Sequence, residues 1–187
     1  MKILSKVASA MILSTGLLMA SSYSVDNAHS NVGFTVKHMM VTNVHGKFTS
    51  YDAKVEFDDA TKTFKKLVAN VDTKSIDTGI EKRDTHLRSD DFFAVEKFPK
   101  MTFEMTSYKA DGDDGKMTGN LTIRGITKPV VLEVEDIAIL GDKVGFSVEG
   151  KINRQDFDLK WNKAIELGGV AVSDEVKIKV DIEAKKQ

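Results

Sequence analysis

The chain has 187 residues, enough for one domain or two small ones, and its 41% hydrophobic and 29% charged content fits a folded protein. Lys+Arg is 27 against 28 Asp+Glu, so the net charge of −1 leaves no bulk basic surface for nucleic acid. The absence of cysteine excludes disulfides, cysteine-ligated zinc or iron–sulfur sites, a thiol nucleophile and a lipoprotein anchored through an N-terminal Cys.

Residues 1–22 read as a secretory signal peptide. Lys2 and Lys6 come first, Val7 to Ala20 is a mostly apolar run of 14 residues, and Ala20-Ser21-Ser22 offers small residues for cleavage after Ser22. A membrane span needs roughly 20 apolar residues, and this run is shorter. Cleavage leaves Tyr23 to Gln187, and losing Lys2 and Lys6 takes the net charge from −1 to −3. The expected product is a soluble protein exported to an envelope compartment.

From Ser30 onward the apolar residues recur with a period of two, the signature of half-buried strands. Val32, Phe34, Val36 and His38 share one face of the first strand. Val44, Gly46 and Phe48 are followed by Tyr51, Ala53, Val55 and Phe57 in the opposite phase, which predicts a β-bulge between Phe48 and Tyr51. After a turn at residues 58–62 come Leu67, Ala69, Val71 and Thr73. Thr78 and Glu81 have capping-box spacing, so a short helix is predicted over 78–88, with Thr78 as its cap. Met101, Phe103 and Met105 resume the alternation, and residues 111–115 form a tight connection. Then follow Met117, Gly119, Leu121 and Ile123, with Thr122 on the opposite face. Val130, Leu132 and Val134 come next, then Val144, Phe146, Val148, Gly150 and Ile152, and last Val176, Ile178, Val180 and Ile182.

This predicts about eight antiparallel strands in one all-β domain, closing as a sandwich or as a barrel that holds side chains or one small ligand. Four histidines, His29, His38, His45 and His86, show no metal-ligand spacing, and His29 and His38 have opposite parity. The acidic run 111–115 does not place oxygen ligands where an EF-hand loop needs them. No nucleophile elbow, Walker loop or dinucleotide fingerprint occurs, so no catalytic residue, metal or cofactor is expected. Arg83, Asp84 and His86 on the helix, with Arg124, Asn153 and Arg154 at strand ends, either meet a ligand headgroup or clamp helix to sheet. Met39, Met40, Met101, Met105 and Met117 suit a flexible apolar ligand or a gap-filled dry core equally.

Several stretches together resemble the YceI-like family of exported lipid-binding proteins. They are His29-Ser30 through Phe34 with Lys37, His38 and Met39; Val44 to Phe48; Ser75 to Gly79; Arg83 to Leu87; Ser89 to Phe93; Lys97 to Pro99 with Phe103; Gly119 to Pro129; and Ile152 to Phe157. Asp158 stands where that family commonly has Gly. The resemblance implies a lipocalin-like barrel with a helix near one end, the bacterial periplasm, often a stress-related role, and no catalytic residues. It also implies a bound polyisoprenoid, quinone tail or fatty-acid derivative. The expected tunnel lining is Val32, Phe34, Val36, His38, Met101, Phe103, Met105, Leu121, Ile123, Phe146 and Val148. The expected function is a lipid carrier in transient contact with a membrane surface, its oligomeric state, homodimer included, left open. The rivals are an enzyme acting on a lipid or quinone, with His38 or Asp84 as its acid–base candidates, and a dry-cored structural or adhesion domain.

Overall fold

The structure is a computed structural model describing residues 20–164 and 170–187. Its strands are β1 (Ser21–Val25), β2 (Asn31–His38), β3 (Thr42–Phe48), β4 (Tyr51–Asp58), β5 (Thr63–Asp72), β6 (Ile76–Asp77), β7 (Lys100–Asp111), β8 (Asp114–Ile123), β9 (Ile126–Leu140), β10 (Lys143–Asn153) and β11 (Val172–Lys186). One helix, α1 (Glu81–Arg88), follows β6.

All strands belong to one sheet, and it closes on itself because β1 pairs with both β4 and β11. The closed ring runs β1-β4-β5-β7-β8-β9-β10-β11 and back to β1, an eight-stranded antiparallel barrel. The surplus over the eight expected strands comes from interruptions. β11 pairs with β1 through Ala184 to Lys186 and with β2 through Val172 to Asp181, so β1 and β2 occupy one strand position, broken at residues 26–30. β3 and β4 occupy the next, broken at Thr49 and Ser50, where the phase flip was expected. β6 pairs with Lys47 and Phe48 of β3. The expected first strand began at Ser30, and β1 lies before it. The segment read as a signal peptide lies outside the described residues except Ala20, Ser21 and Ser22, and the last two open β1 opposite Phe57 and Glu56.

The helix differs from its expected start. Ile80 is the residue that precedes its first turn, and Thr78 does not cap it. The Thr78 N–H instead donates to the Asp84 carboxylate at 3.0 Å, and its hydroxyl donates to the same oxygen. Asp84, buried inside α1, thus competes for the group that the capping-box spacing assigned to the helix end.

Two apolar clusters fill the two ends of the barrel. One surrounds Phe57, Val134 and Val144 and contains aromatic rings packed edge to face: Tyr23–Phe57 at 6.2 Å between centroids, Phe57–Phe64 at 4.9 Å and Phe64–Phe146 at 4.9 Å. The other gathers Phe48, Ile76, Phe92, Met101, Ile123, Phe157 and Leu159 beneath α1 and the loop after it. We call this the helix end. It is also where β2, β8 and β10 finish and β7, β9 and β11 begin.

Candidate functional site

Between the two clusters the barrel is hollow. A cavity of about 250 Å³ runs from Phe146 and Val148 to Leu87, Phe92 and Phe93 below α1, and its wall is almost wholly apolar. The alternation of each strand makes this wall, because every second side chain points inward. Two close approaches shape it. A Cβ on Gly46 would sit 2.3 Å from the Phe34 ring, and one on Gly119 would sit 2.3 Å from the Phe103 ring. These two cavity-lining rings therefore occupy the space that a side chain at residue 46 or 119 would need.

Of the expected lining residues, Val32, Phe34, Val36, Met101, Phe103, Leu121, Ile123, Phe146 and Val148 line the cavity. His38 does not. It is exposed at the end of β2, opposite Thr42 and Val172, where the strand has run past the wall. Met105 does not either. It packs on the Phe57–Val144 cluster, and the register shifts between it and Ser107. Sequence reasoning did not assign Val176, Ile178, Val180 and Ile182 to the lining, although it had them on one apolar face of β11. Phe92, Phe93 and Leu159 belong to loops that carry no period.

The six polar candidates lie at the helix end among neighbouring protein groups, and the buried Arg124 Nε has no hydrogen-bond partner among the described residues. Arg83 donates from Nε to the Thr78 hydroxyl and from Nη2 to the Thr78 carbonyl, both at 2.7 Å. With Asp84 it ties the chain entering α1 to the helix. His86 Nε2 lies 2.8 Å from the Asp91 carboxylate, and its ring packs edge-on against Phe92 and Trp161. Arg124 donates to the Asp90 carbonyl at 2.9 Å and to the Phe92 carbonyl, and lies 3.5 Å from Asp158. Its partner on residue 90 is thus the carbonyl, not the carboxylate. The Asn153 side chain accepts from the Gln155 N–H at 2.9 Å, capping the 3₁₀ turn 154–157.

Arg154 is the most buried of the six, at 3% exposure, and touches the cavity. It donates to the carbonyls of Ser173 and Trp161 at 2.9 Å, of Val172 at 3.4 Å and of Leu159, and reaches Asp174 at 3.3 Å. Burial pulls its guanidinium pKa below the usual value, with Asp174 opposing. The planar fork gathers the loop after β10 and the start of β11 into one unit. Asp158 adopts φ of +60°, a conformation that glycine takes freely and Asp tolerates. Lys160, at 2.8 Å, and then Arg124 hold its carboxyl below the ordinary range.

A titratable group lies apart, at the β1–β2 break. His29 Nδ1 is 2.9 Å from Asp26 and 3.9 Å from Glu183, so one histidine and two carboxylates do converge, where the sequence suggested no such cluster. The Lys143 ammonium sits 2.5 Å from Glu183 and supplies the local positive charge. The hydrogen bond that the His29 ring donates to Asp26 raises the His29 pKa above its ordinary value.

An eight-stranded antiparallel barrel of lipocalin-like form, hollow and lined with apolar side chains, is the class of protein that this fold defines. The model of the YceI-like domain matches residues 23–184. The protein YceI of Salmonella newport (strain SL254) is 36% identical over 184 residues, covering 95% of this chain and 93% of that one. A crystal structure of the Campylobacter jejuni YCEI protein has 41% identity and a TM-score of 0.71, covering 87% of this chain and 96% of that one. A polyisoprenoid binding domain from Saccharophagus degradans, implicated in plant cell wall breakdown, shares the fold at 16% identity and a TM-score of 0.64, covering 90% of this chain and 99% of that one. The chain belongs to the YceI-like family.

Proposed function

We propose that this protein is a periplasmic carrier that takes up the long apolar chain of a polyisoprenoid, quinone tail or fatty-acid derivative into its barrel and releases it elsewhere, without catalysing a reaction on it. The observation that carries this reading is the apolar cavity between the two clusters. An isolated polar ligand would leave its hydrogen bonds unmade there, whereas an alkyl or prenyl chain gains about 0.8 kcal/mol for each CH₂ it buries. The polyisoprenoid-binding domain from Saccharophagus degradans, with the same fold, is consistent with such a ligand. Export rests on residues 1–22, whose order of charge, apolar run and small residues is that of a signal peptide.

A binding role also accounts for the polar residues. Asp84 spends its carboxylate on Thr78, and Arg154 spends its donors on four carbonyls and Asp174, so both hold the walls at the helix end. No cofactor is needed for partition into such a cavity. Mass spectrometry of an organic extract from natively purified protein tests the proposal. The expected result is a long-chain lipid at near one per barrel; an empty extract from protein prepared without detergent overturns it.

A further inference from the structure

The β2–β3 hairpin ends in a turn whose residues contradict its backbone. His38 and Val41 close it, the Val41 N–H donating to the His38 carbonyl at 3.1 Å. Both central residues have positive φ, +52° at Met39 and +60° at Met40. Turns with positive φ at both central residues favour Asn-Gly or Asp-Gly, because most side chains are strained there. Here the chain places Met-Met, followed by Val.

The side chains are also exposed: Met40 at 64% and Val41 at 78%, with Met39 at 39%. Single exposed apolar residues, such as Val131 and Leu140, are ordinary on a soluble protein. Three in a row on a hairpin tip are not. Val170, 41% exposed, extends the patch, because the Met39 N–H donates to the neighbouring Ala171 carbonyl at 2.9 Å. Exposed Lys37 and His38 flank it, and Lys37 makes no ion pair among the described residues. The patch continues the cavity wall: Val36 and Val172, both lining residues, lie just behind it on β2 and β11.

We propose that this tip is a membrane-docking element. Met39, Met40 and Val41 enter the headgroup–acyl boundary of a bilayer, and Lys37 meets anionic lipid headgroups. A bilayer fits better than a protein groove because the tip is a hairpin apex, apolar over Met39, Met40 and Val41, with the Lys37 ammonium, in no ion pair among the described residues, at its base. That is the arrangement of elements that lie in a membrane interface. It would bring the helix end of the barrel against the phase in which a lipid ligand dissolves. The purpose, but not the docking, rests on the carrier proposal.

The test is co-sedimentation of delipidated protein with phosphatidylethanolamine/phosphatidylglycerol vesicles. Wild type is compared with a double variant, Met39→Asn with Met40→Gly, and with Val41→Asp. The double variant installs the residues that the turn prefers, so it should melt no lower than wild type. Vesicle binding should fall about tenfold or more in each variant, since each removes apolar area from the interface. Raised salt should weaken wild-type binding. Equal sedimentation of all three proteins, or none by wild type, overturns the proposal. So does a wild-type dimer that the double variant abolishes while vesicle binding stays absent, which would make the tip a contact between copies. Lipid content is measured separately on native protein, so an empty extract alongside tip-dependent vesicle binding defeats the carrier proposal and leaves docking intact.

Discussion

Leu121→Arg asks whether the interior of the barrel is a ligand site. Leu121 lines the cavity from β8, directly opposite Phe103 on β7 and Lys128 on β9. A guanidinium there faces a wall with almost no polar atoms, and an unpaired buried charge costs several kcal/mol. Against a total stability of about 5–15 kcal/mol that is a large fraction, unless the long side chain bends toward the helix end and reaches water. The hollow gives it room to do so, which a packed core would not. A folded but blocked barrel is therefore expected, melting lower and holding less than about a tenth of the wild-type lipid. Thr122 is a poor exterior control, because its hydroxyl bonds that of Thr127 at 2.8 Å. Asn120, exposed on the same strand and opposite Glu104, is a better one. Asn120→Arg should change stability by no more than about 0.5 kcal/mol and keep its lipid. Leu121→Trp blocks the same space without charge and covers the case in which the arginine variant does not fold. Thermal melting and lipid per mole, measured on all three, decide the matter. A folded Leu121→Trp with wild-type lipid content would refute the assignment of this wall to the ligand.

Gly46→Ala should push the Phe34 ring into the cavity and lower lipid per mole, at a stability cost of about 1–3 kcal/mol read from urea unfolding. Unchanged lipid content would mean that the ring does not border the ligand. Arg154→Met should leave the carbonyls of Leu159, Trp161, Val172 and Ser173 without this donor and destabilise by about 3 kcal/mol or more, with Arg154→Lys rescuing little because it lacks the planar fork. A wild-type unfolding midpoint in either variant would contradict this. His29, facing Asp26, Glu183 and Lys143, has a raised pKa in the folded state. Its protonation therefore contributes stability fully below the ordinary value of 6.5, and this is lost as pH rises through the raised value. Melting curves across pH 5–9 should show this decline in wild type and not in His29→Gln; parallel curves would remove His29 from the account.

Strand alternation made most of the barrel legible, because a sheet with one buried face repeats every two residues whatever the topology. β1 was hidden. In Ser21–Val25 only Tyr23 and Val25 are large and apolar, and the segment adjoins the run read as a signal peptide. Yet Tyr23 is 2% exposed, with its hydroxyl 2.6 Å from Asp59, and burial together with that bond raises its pKa. Parity also says nothing of where a wall ends or a bulge shifts it, which is why His38 and Met105 were placed inside. The helix start was misplaced because a capping box is a local rule, and Asp84 reached Thr78 from within the helix. No local signal marks Phe92 and Phe93. The Phe92 carbonyl is held by Arg124, 32 residues away in sequence.

A hollow barrel has to be stable without its centre. At about 24 cal/mol for each Å³ left unfilled, a cavity of about 250 Å³ represents roughly 6 kcal/mol of packing not realised. That is comparable to the whole stability of a typical domain, so the two ends must supply it. At one end, aromatic rings meet edge to face around Phe64, whose centroid is 4.9 Å from both Phe57 and Phe146. At the other, arginines bind carbonyls that the loops cannot satisfy themselves, and Phe92, Phe157 and Leu159 pack beneath them. A compact ligand would recover little of the deficit, because it would touch only part of a cavity that reaches from Phe146 to Leu87. A flexible chain of the proposed kind would thread the length and restore contacts along it. The same division explains how a ligand could leave. Both ends are packed, but the aromatic end is closed by strand residues alone, whereas the helix end is closed by α1 and loops, and loop segments open locally at lower cost than a sheet. Release is therefore expected at the end that carries α1 and the exposed Met39–Met40 turn.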